Sequence, residues 1–376
     1  MAEPGSRLKL DFSLHELAGS VGDFGTILPL VLAVSAVAGL SIGYILLFFG
    51  IWFIVTGLYY RLPVPVEPMK VIAVVAISEN MSAGQIAVAG IILGILFLSL
   101  GFWKWLDLLE EYIPRSVIRG IQLGLTLLLL RTSAGLLSGD VMVFLGALAL
   151  MTVLYGLSRF TRLPDLSAIV VIVVAFAAGI AVKGFPGLAP LPMPQIVVPS
   201  PSDIPSALWS MVVPQALLTI TNAILATSLL ASDLFKKEVR PARLSRTIGL
   251  MNLTSVPFGG FPMSHGAGGL AGQYRFGART GGSNVYAGII LLLLAFFFAS
   301  PAMLGLVSGG FFAALLVFAA IEMAKYGLKT DSYLVTGTIA ILSLTVNMTI
   351  AFVAGICVAH ALKAIRRRQG KGRTLT

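Results

Sequence analysis

Long apolar runs alternate with short polar breaks along nearly the whole chain. The pattern predicts fourteen segments: near 16–38, 41–60, 66–79, 83–103, 114–136, 141–158 and 165–183, then near 206–231, 242–257, 263–274, 283–299, 302–323, 331–345 and 347–364. Most are long enough for helices that cross a ~30 Å hydrocarbon layer, and the short alternating strands of a barrel are not seen. Ser13 and Glu16 have the spacing of a capping box at the start of the first helix. Segments three and ten break the pattern. Each is short and follows a Pro/Gly-rich stretch, "RLPVPVEPMK" in one case and "SVPFGGFPMSHG" in the other. Pro68-Met69 and Pro262-Met263 stand 194 positions apart, each in the third segment of a set of seven. An odd repeat length sets the halves in opposite orientations. The expected fold is therefore an all-α polytopic membrane protein of about 14 segments, a seven-plus-seven inverted repeat whose two broken half-helices, segments 3 and 10, mark the binding site.

Pro63, Pro65 and Pro68 lack an N–H and hold φ near −65°, so residues 62–68 should be extended, and residues 257–262 likewise. A helix starting at Met69 leaves its first N–H groups unpaired at mid-membrane, where irregular backbone is tolerated only inside protein or beside a wet cavity. Two such N-termini facing each other form an anion site, with Met69 and Met263 Cα atoms expected within about 15 Å. Lys70 sits on the first turn, where the helix dipole disfavours a cation. An anion in front of it would explain the placement; pairing with Glu67 or snorkelling is the plainer alternative. Ser264, His265 and Gly266 occupy the equivalent entry of the second half, whereas His15 and His360, near helix ends, read as structural. Gly266, Gly268, Gly269 and Gly272 permit close ligand approach or close packing. In "GSVGDFGTILPL", Ser20 and Asp23 should share a helix face, with Thr26 close by. In "VPQALLTITNAILA", Gln215, Thr219 and Asn222 form one polar stripe, which serves a site or glues helices together.

Composition sharpens the class. Of the residues, 57% are hydrophobic and 11% charged, with mean hydropathy +0.95. The net charge of +10 would suit nucleic acid, but its placement argues otherwise. With both termini cytoplasmic, inside loops and tails hold 22 of the 26 Lys and Arg, among them Arg7, Lys104, Arg162 and the run from Lys363 to Arg373. Lys183 is the clearest outside cation, and Lys70, Arg119 and Arg131 fall within segments. That is the positive-inside rule, with a basic tail facing anionic lipid. An integral protein of the plasma (inner) membrane is expected, with no cleavable leader. Cys357, inside an apolar run, excludes both disulfides and a cysteine-ligated metal. No HExxH or GxxxxGK[ST] motif occurs, which argues against an intramembrane metalloenzyme and direct ATP coupling, and no cofactor is expected.

Four stretches, "SVGDFGTILPL", "PVPVEPMK", "PQALLTITNAILATSLLASDLF" and "GGFPMSHGAGGLAGQYRFGARTGG", together resemble the molybdate transporter family, a branch of the sulfate permease superfamily. The resemblance runs over nearly the whole chain. It implies a core domain (13–105 and 206–300), a gate domain (106–205 and 301–365) and a basic tail (366–376). No regulatory cytosolic domain is expected after the last segment. The resemblance also implies oxyanion uptake, with substrate held between segments three and ten. The expected substrate-binding residues are Lys70, Glu67, Met69, Ser264, His265, Gly266, Gln215, Thr219, Asn222, Asp23 and Thr26. Two departures stand out: the family usually has Gln where Glu67 stands and Cys where Ser264 stands. An ionised Glu67 would repel a dianion, whereas a protonated one would donate a hydrogen bond and carry a proton with the substrate. Glu67 is thus the first proton-coupling candidate and Asp23 the second. Molybdate is the first substrate and sulfate the alternative. A nucleobase permease of the same fold, which would use carboxylates to hold a neutral base, stays open. The lipid bilayer is the expected partner, nucleic acid is not, and a homodimer is compatible.

Overall fold

The computed structural model describes residues 9–103, 113–137, 140–161, 165–193, 196–297, 299–300, 302, 305–346 and 348–372. Arg7, Lys104, Arg162 and Arg373 lie outside them. The first half contains α1 (Leu14–Ser20), α2 (Phe24–Ala38), α3 (Ile42–Tyr60), a two-residue strand β1 (Glu67–Pro68), α4 (Lys70–Ser78), α5 (Ala83–Leu100), α6 (Arg115–Gly135), α7 (Val141–Thr161) and α8 (Ser167–Lys183). The second half opens with the long helix α9 (Pro201–Phe235). It continues with α10 (Pro241–Ser255), β2 (Met263–Ser264), α11 (Ala267–Arg275), α12 (Gly282–Phe297), α13 (Gly309–Gly327), α14 (Tyr333–Thr345) and α15 (Met348–Gly372). The inverted repeat is visible in the order: in each half a full helix leads to a two-residue strand and then a nine-residue half-helix.

Among the described residues, six helices are long and apolar enough to cross a membrane, including Ile42–Tyr60, Ala83–Leu100 and Pro201–Phe235. Small residues let the helices approach closely. A Cβ on Gly288 would stand 2.5 Å from the Gly50 carbonyl, and one on Gly281 would collide with that of Gly57, so α3 and α12 meet backbone to backbone.

Three local expectations are corrected. The first apolar run is two helices, because the chain turns at Val21–Asp23, where the Gly22 N–H bonds the Gly19 carbonyl. The turn takes Ser20 off the face of Asp23, and the Ser20 hydroxyl donates instead to Leu17 O. The Ser13–Glu16 capping box does not form: Ser13 makes no side-chain cap. The buried Glu16 carboxylate accepts N–H groups from Arg279, Thr280 and Ser283 at 3.0, 2.7 and 3.1 Å, and so caps α12. A capping box is built at α5, from Ser82 and Gln85. Finally, residues 257–262 are not extended throughout, since a 3₁₀ turn covers Val256–Phe258 and Gly259 takes φ 83°. Glycine tolerates that conformation at no steric cost.

Candidate functional site

The two interruptions meet. β1 and β2 pair antiparallel, Glu67 opposite Ser264 and Pro68 opposite Met263, and the Met69 N–H donates to Pro262 O at 2.9 Å. Proline explains why the ladder is so short: it offers no donor, and each strand gives way at once to a half-helix. Two amides brace the strands. Asn252 exchanges hydrogen bonds with the Met263 backbone at 2.7 and 3.0 Å, and Asn284 donates to the Val64 carbonyl and to the Thr56 hydroxyl. Neither was singled out in the sequence; an isolated amide in an apolar helix was the available signal.

The half-helix N-termini are then occupied by side chains. Gln215 Oε1 accepts the Val71 N–H at 2.9 Å, and its amide nitrogen donates to Thr219 Oγ1 at 3.0 Å. Asn222 Oδ1 accepts the Ala267 N–H at 3.4 Å. The stripe expected on segment eight therefore serves both breaks, one residue at each. Its spacing differs from a regular helix, because Thr219–Ala226 is wound as π-helix, a form that recurs at functional sites.

Glu67 is 1% exposed and lies between the halves. One carboxylate oxygen accepts the Gly269 N–H at 2.7 Å, on the first turn of α11, and the other accepts from Lys70 Nζ at 2.6 Å. A Cβ on Gly266 would fall on the Glu67 carboxyl group, and one on Gly269 would fall on Asp23 Oδ2 and stand 2.7 Å from Glu67 Oε1. The glycines are thus required by close approach of two acids, beyond any helix packing. Asp23 is 2% exposed, and neither of its carboxyl oxygens has a hydrogen-bond partner; the Thr26 side chain lies near without bonding geometry. The Lys70 side chain is 26% exposed, against 1% for Glu67, so the pair is less enclosed on the lysine side.

His265 is fully buried and held from both sides. Its Nδ1 bonds the Pro65 carbonyl at 2.8 Å and its Nε2 the Thr247 hydroxyl at 2.7 Å, with Tyr60 packed edge-on at 5.7 Å. A carbonyl only accepts, so Nδ1 carries a hydrogen. The histidine thereby ties the first break to the second. Met69 and Ser264 are buried in the bridge, and Thr26 is half-buried. On the far side of α11, a Cβ at Gly268 would meet Met323 at 3.6 Å and Leu129 at 3.7 Å, so α13 and α6 supply an apolar wall.

Two ion pairs join the helices around this centre to their neighbours. Arg119 of α6 pairs with Asp233 of α9. Arg275, at the end of α11, pairs with Asp165 at 2.8 Å and lies over the Tyr155 ring, 4.2 Å from its centroid. A separate cleft of about 280 Å³, lined by Val21, Phe24, Leu28, Ile172 and Leu294 among others, is apolar and offers nothing to an anion.

The sequence profile of the family described as "Molybdate transporter of MFS superfamily" matches residues 15–129 and 207–323. Those two blocks contain β1, β2, both half-helices and all but the first six residues of α9. Molybdate transporter 2 of Arabidopsis thaliana is 32% identical over 95% of this chain and 89% of its own length. In fold, the chain is similar to SLC26A9, with a TM-score of 0.66 and 13% identity over 94% of this chain and 65% of that one. It is also similar to the transmembrane domain of BicA, a cyanobacterium bicarbonate transporter, with a TM-score of 0.57 and 17% identity over 92% of this chain and 95% of that one.

Proposed function

The chain belongs to the molybdate transporter family, and on that premise we propose that it is a secondary transporter importing a tetrahedral oxyanion, molybdate before sulfate, across the plasma membrane. The observation that carries the reading is the convergence of Lys70 with the N-termini of α4 and α11 at a bridge between the two halves. Helix N-termini present N–H donors and about half a positive charge each, and the Lys70 ammonium adds a full charge. Together these match a dianion. Such a site neither forms nor breaks a covalent bond, which suits carriage rather than catalysis.

Substrate would lie between Lys70 and the first turn of α11, with Leu129 and Met323 packed behind that half-helix. Gln215 and Asn222 hold the half-helices in place, with Thr219 orienting Gln215, and His265 fixes the bridge. In the proposed division, residues 13–105 and 206–300 carry the site as a core, and 106–205 and 301–365 form the gate it moves against. Arg119–Asp233 and Arg275–Asp165 both cross that division, so they would open and close as the carrier cycles. Transport is coupled to protons through Glu67, with Asp23 as the neighbouring acid. Uptake should therefore rise as external pH falls from ~8 to ~6, because protonating an acid beside a dianion removes a like-charge repulsion.

The direct test is titration of the purified protein with molybdate, sulfate and uracil, followed by uptake into vesicles. Saturable molybdate binding with sulfate as a competitor supports the reading. Binding of uracil with neither oxyanion would move the assignment to a nucleobase permease.

A further inference from the structure

Glu67 sits where an anion would sit. Its carboxylate takes an N–H from the first turn of α11 and the ammonium of Lys70, the same donors that the proposed function gives to the substrate. Gly266 and Gly269 leave the space for it: a side chain at either position would overlap the carboxyl group or crowd it. The seat is enclosed, since Glu67 is 1% exposed. A second acid, Asp23, reaches the same point beside Gly269, buried and without a hydrogen-bond partner.

We propose that Glu67 is a tethered competitor: in the empty carrier its carboxylate occupies the oxyanion seat, and substrate binds by displacing it. This rests on the transport reading above and adds to it the residue that sets the affinity. A dianion cannot share two donors with an ionised carboxylate next to a second acid. Displacement is therefore accompanied by uptake of one proton at the Glu67 carboxyl. The charged groups facing Glu67 are Lys70 on α4, Asp23 ahead of α2 and the ring of His265 next to β2. Lys70 is released to the oxyanion, Asp23 disfavours a second negative charge, and His265 is committed to Pro65 and Thr247. While the seat is filled by the protein's own carboxylate, no anion from solution leaks through it. Affinity becomes a difference between two anions for one site.

The experiment uses the full chain in detergent or nanodiscs, titrated calorimetrically with sodium molybdate at pH 6 and pH 8 in buffers of different ionisation enthalpy. Wild type should bind more weakly at pH 8 and take up roughly one proton per molybdate. Glu67→Gln keeps an oxygen acceptor for the Gly269 N–H but carries no charge. It should bind at pH 8 at least roughly tenfold more tightly than wild type, with no pH dependence and no proton uptake. Equal or weaker binding by a folded Glu67→Gln protein at pH 8 would overturn the proposal. Should that variant fail to fold, wild-type binding without proton uptake would overturn it equally. Lys70→Ala separates the two layers: loss of binding there with no gain in Glu67→Gln removes the competitor and leaves the transport reading standing.

Discussion

Gly22 and Gly272 lie backbone against backbone: a Cβ on either would stand 2.6 Å from the other's carbonyl oxygen. The contact joins the turn in the first apolar run to the middle of α11, and it places Asp23, the next residue, beside Gly269. Gly272→Ala has no free space to relax into, because its neighbour is main chain. Overpacking of this kind costs about 1–3 kcal/mol. The expected outcome is a lower melting temperature and loss of molybdate uptake, measured by thermal unfolding of purified protein and vesicle assay. Normal uptake by Gly272→Ala would show that the spacing of Asp23 from α11 is unimportant.

Gln215 is the cap of α4, and its replacements should separate stability from binding. Gln215→Leu leaves the Val71 N–H without its partner. A buried donor left unpaired costs about 1–3 kcal/mol, so this variant should melt earlier. Gln215→Glu keeps the acceptor and suits the helix dipole, so it should fold, yet its charge should weaken molybdate binding at least about tenfold at pH 8. Calorimetry and melting curves on both proteins check the pair of outcomes.

His265→Ala removes two hydrogen bonds that fasten the bridge, to Pro65 and to Thr247. Each is worth about 0.5–1.5 kcal/mol net. The variant should lose several degrees in melting temperature, while purified folded protein keeps molybdate affinity within roughly threefold. A histidine that touched substrate would show the reverse: normal melting and lost affinity.

Much of the site was legible in the sequence because proline chemistry is local. Pro63, Pro65 and Pro68 dictate an extended stretch wherever they occur, and the echo at Pro262 gave the second break and its partner. The pairing of Pro68 with Met263 goes further than the expected approach of Met69 and Met263, since the two breaks share hydrogen bonds. The polar stripe of Gln215, Thr219 and Asn222 was visible as amides and a hydroxyl in an apolar frame. Other features depend on contacts across the fold. Glu16 reads as a local cap for its own helix, yet it serves residues more than 260 positions away. The bond from the Gly269 N–H to Glu67 spans 202 positions, and nothing in the spacing of either residue announces it. The turn before Asp23 follows from the close approach of Gly22 to Gly272, and neither glycine alone breaks a helix. The π-wound stretch of α9 likewise leaves no periodic signature that a regular helix would not share.

The central claim is that an oxyanion is held by Lys70 at the meeting of two half-helices. Calorimetric titration of molybdate into wild type and Lys70→Ala at pH 6 tests it most directly, with the double variant Lys70→Ala/Glu67→Gln included so that the Glu67 carboxylate is not left facing an emptied position. An ammonium beside a desolvated dianion is worth at least a few kcal/mol. Both variants should therefore bind molybdate more than tenfold more weakly than wild type. Wild-type affinity in a folded Lys70→Ala protein would contradict the account.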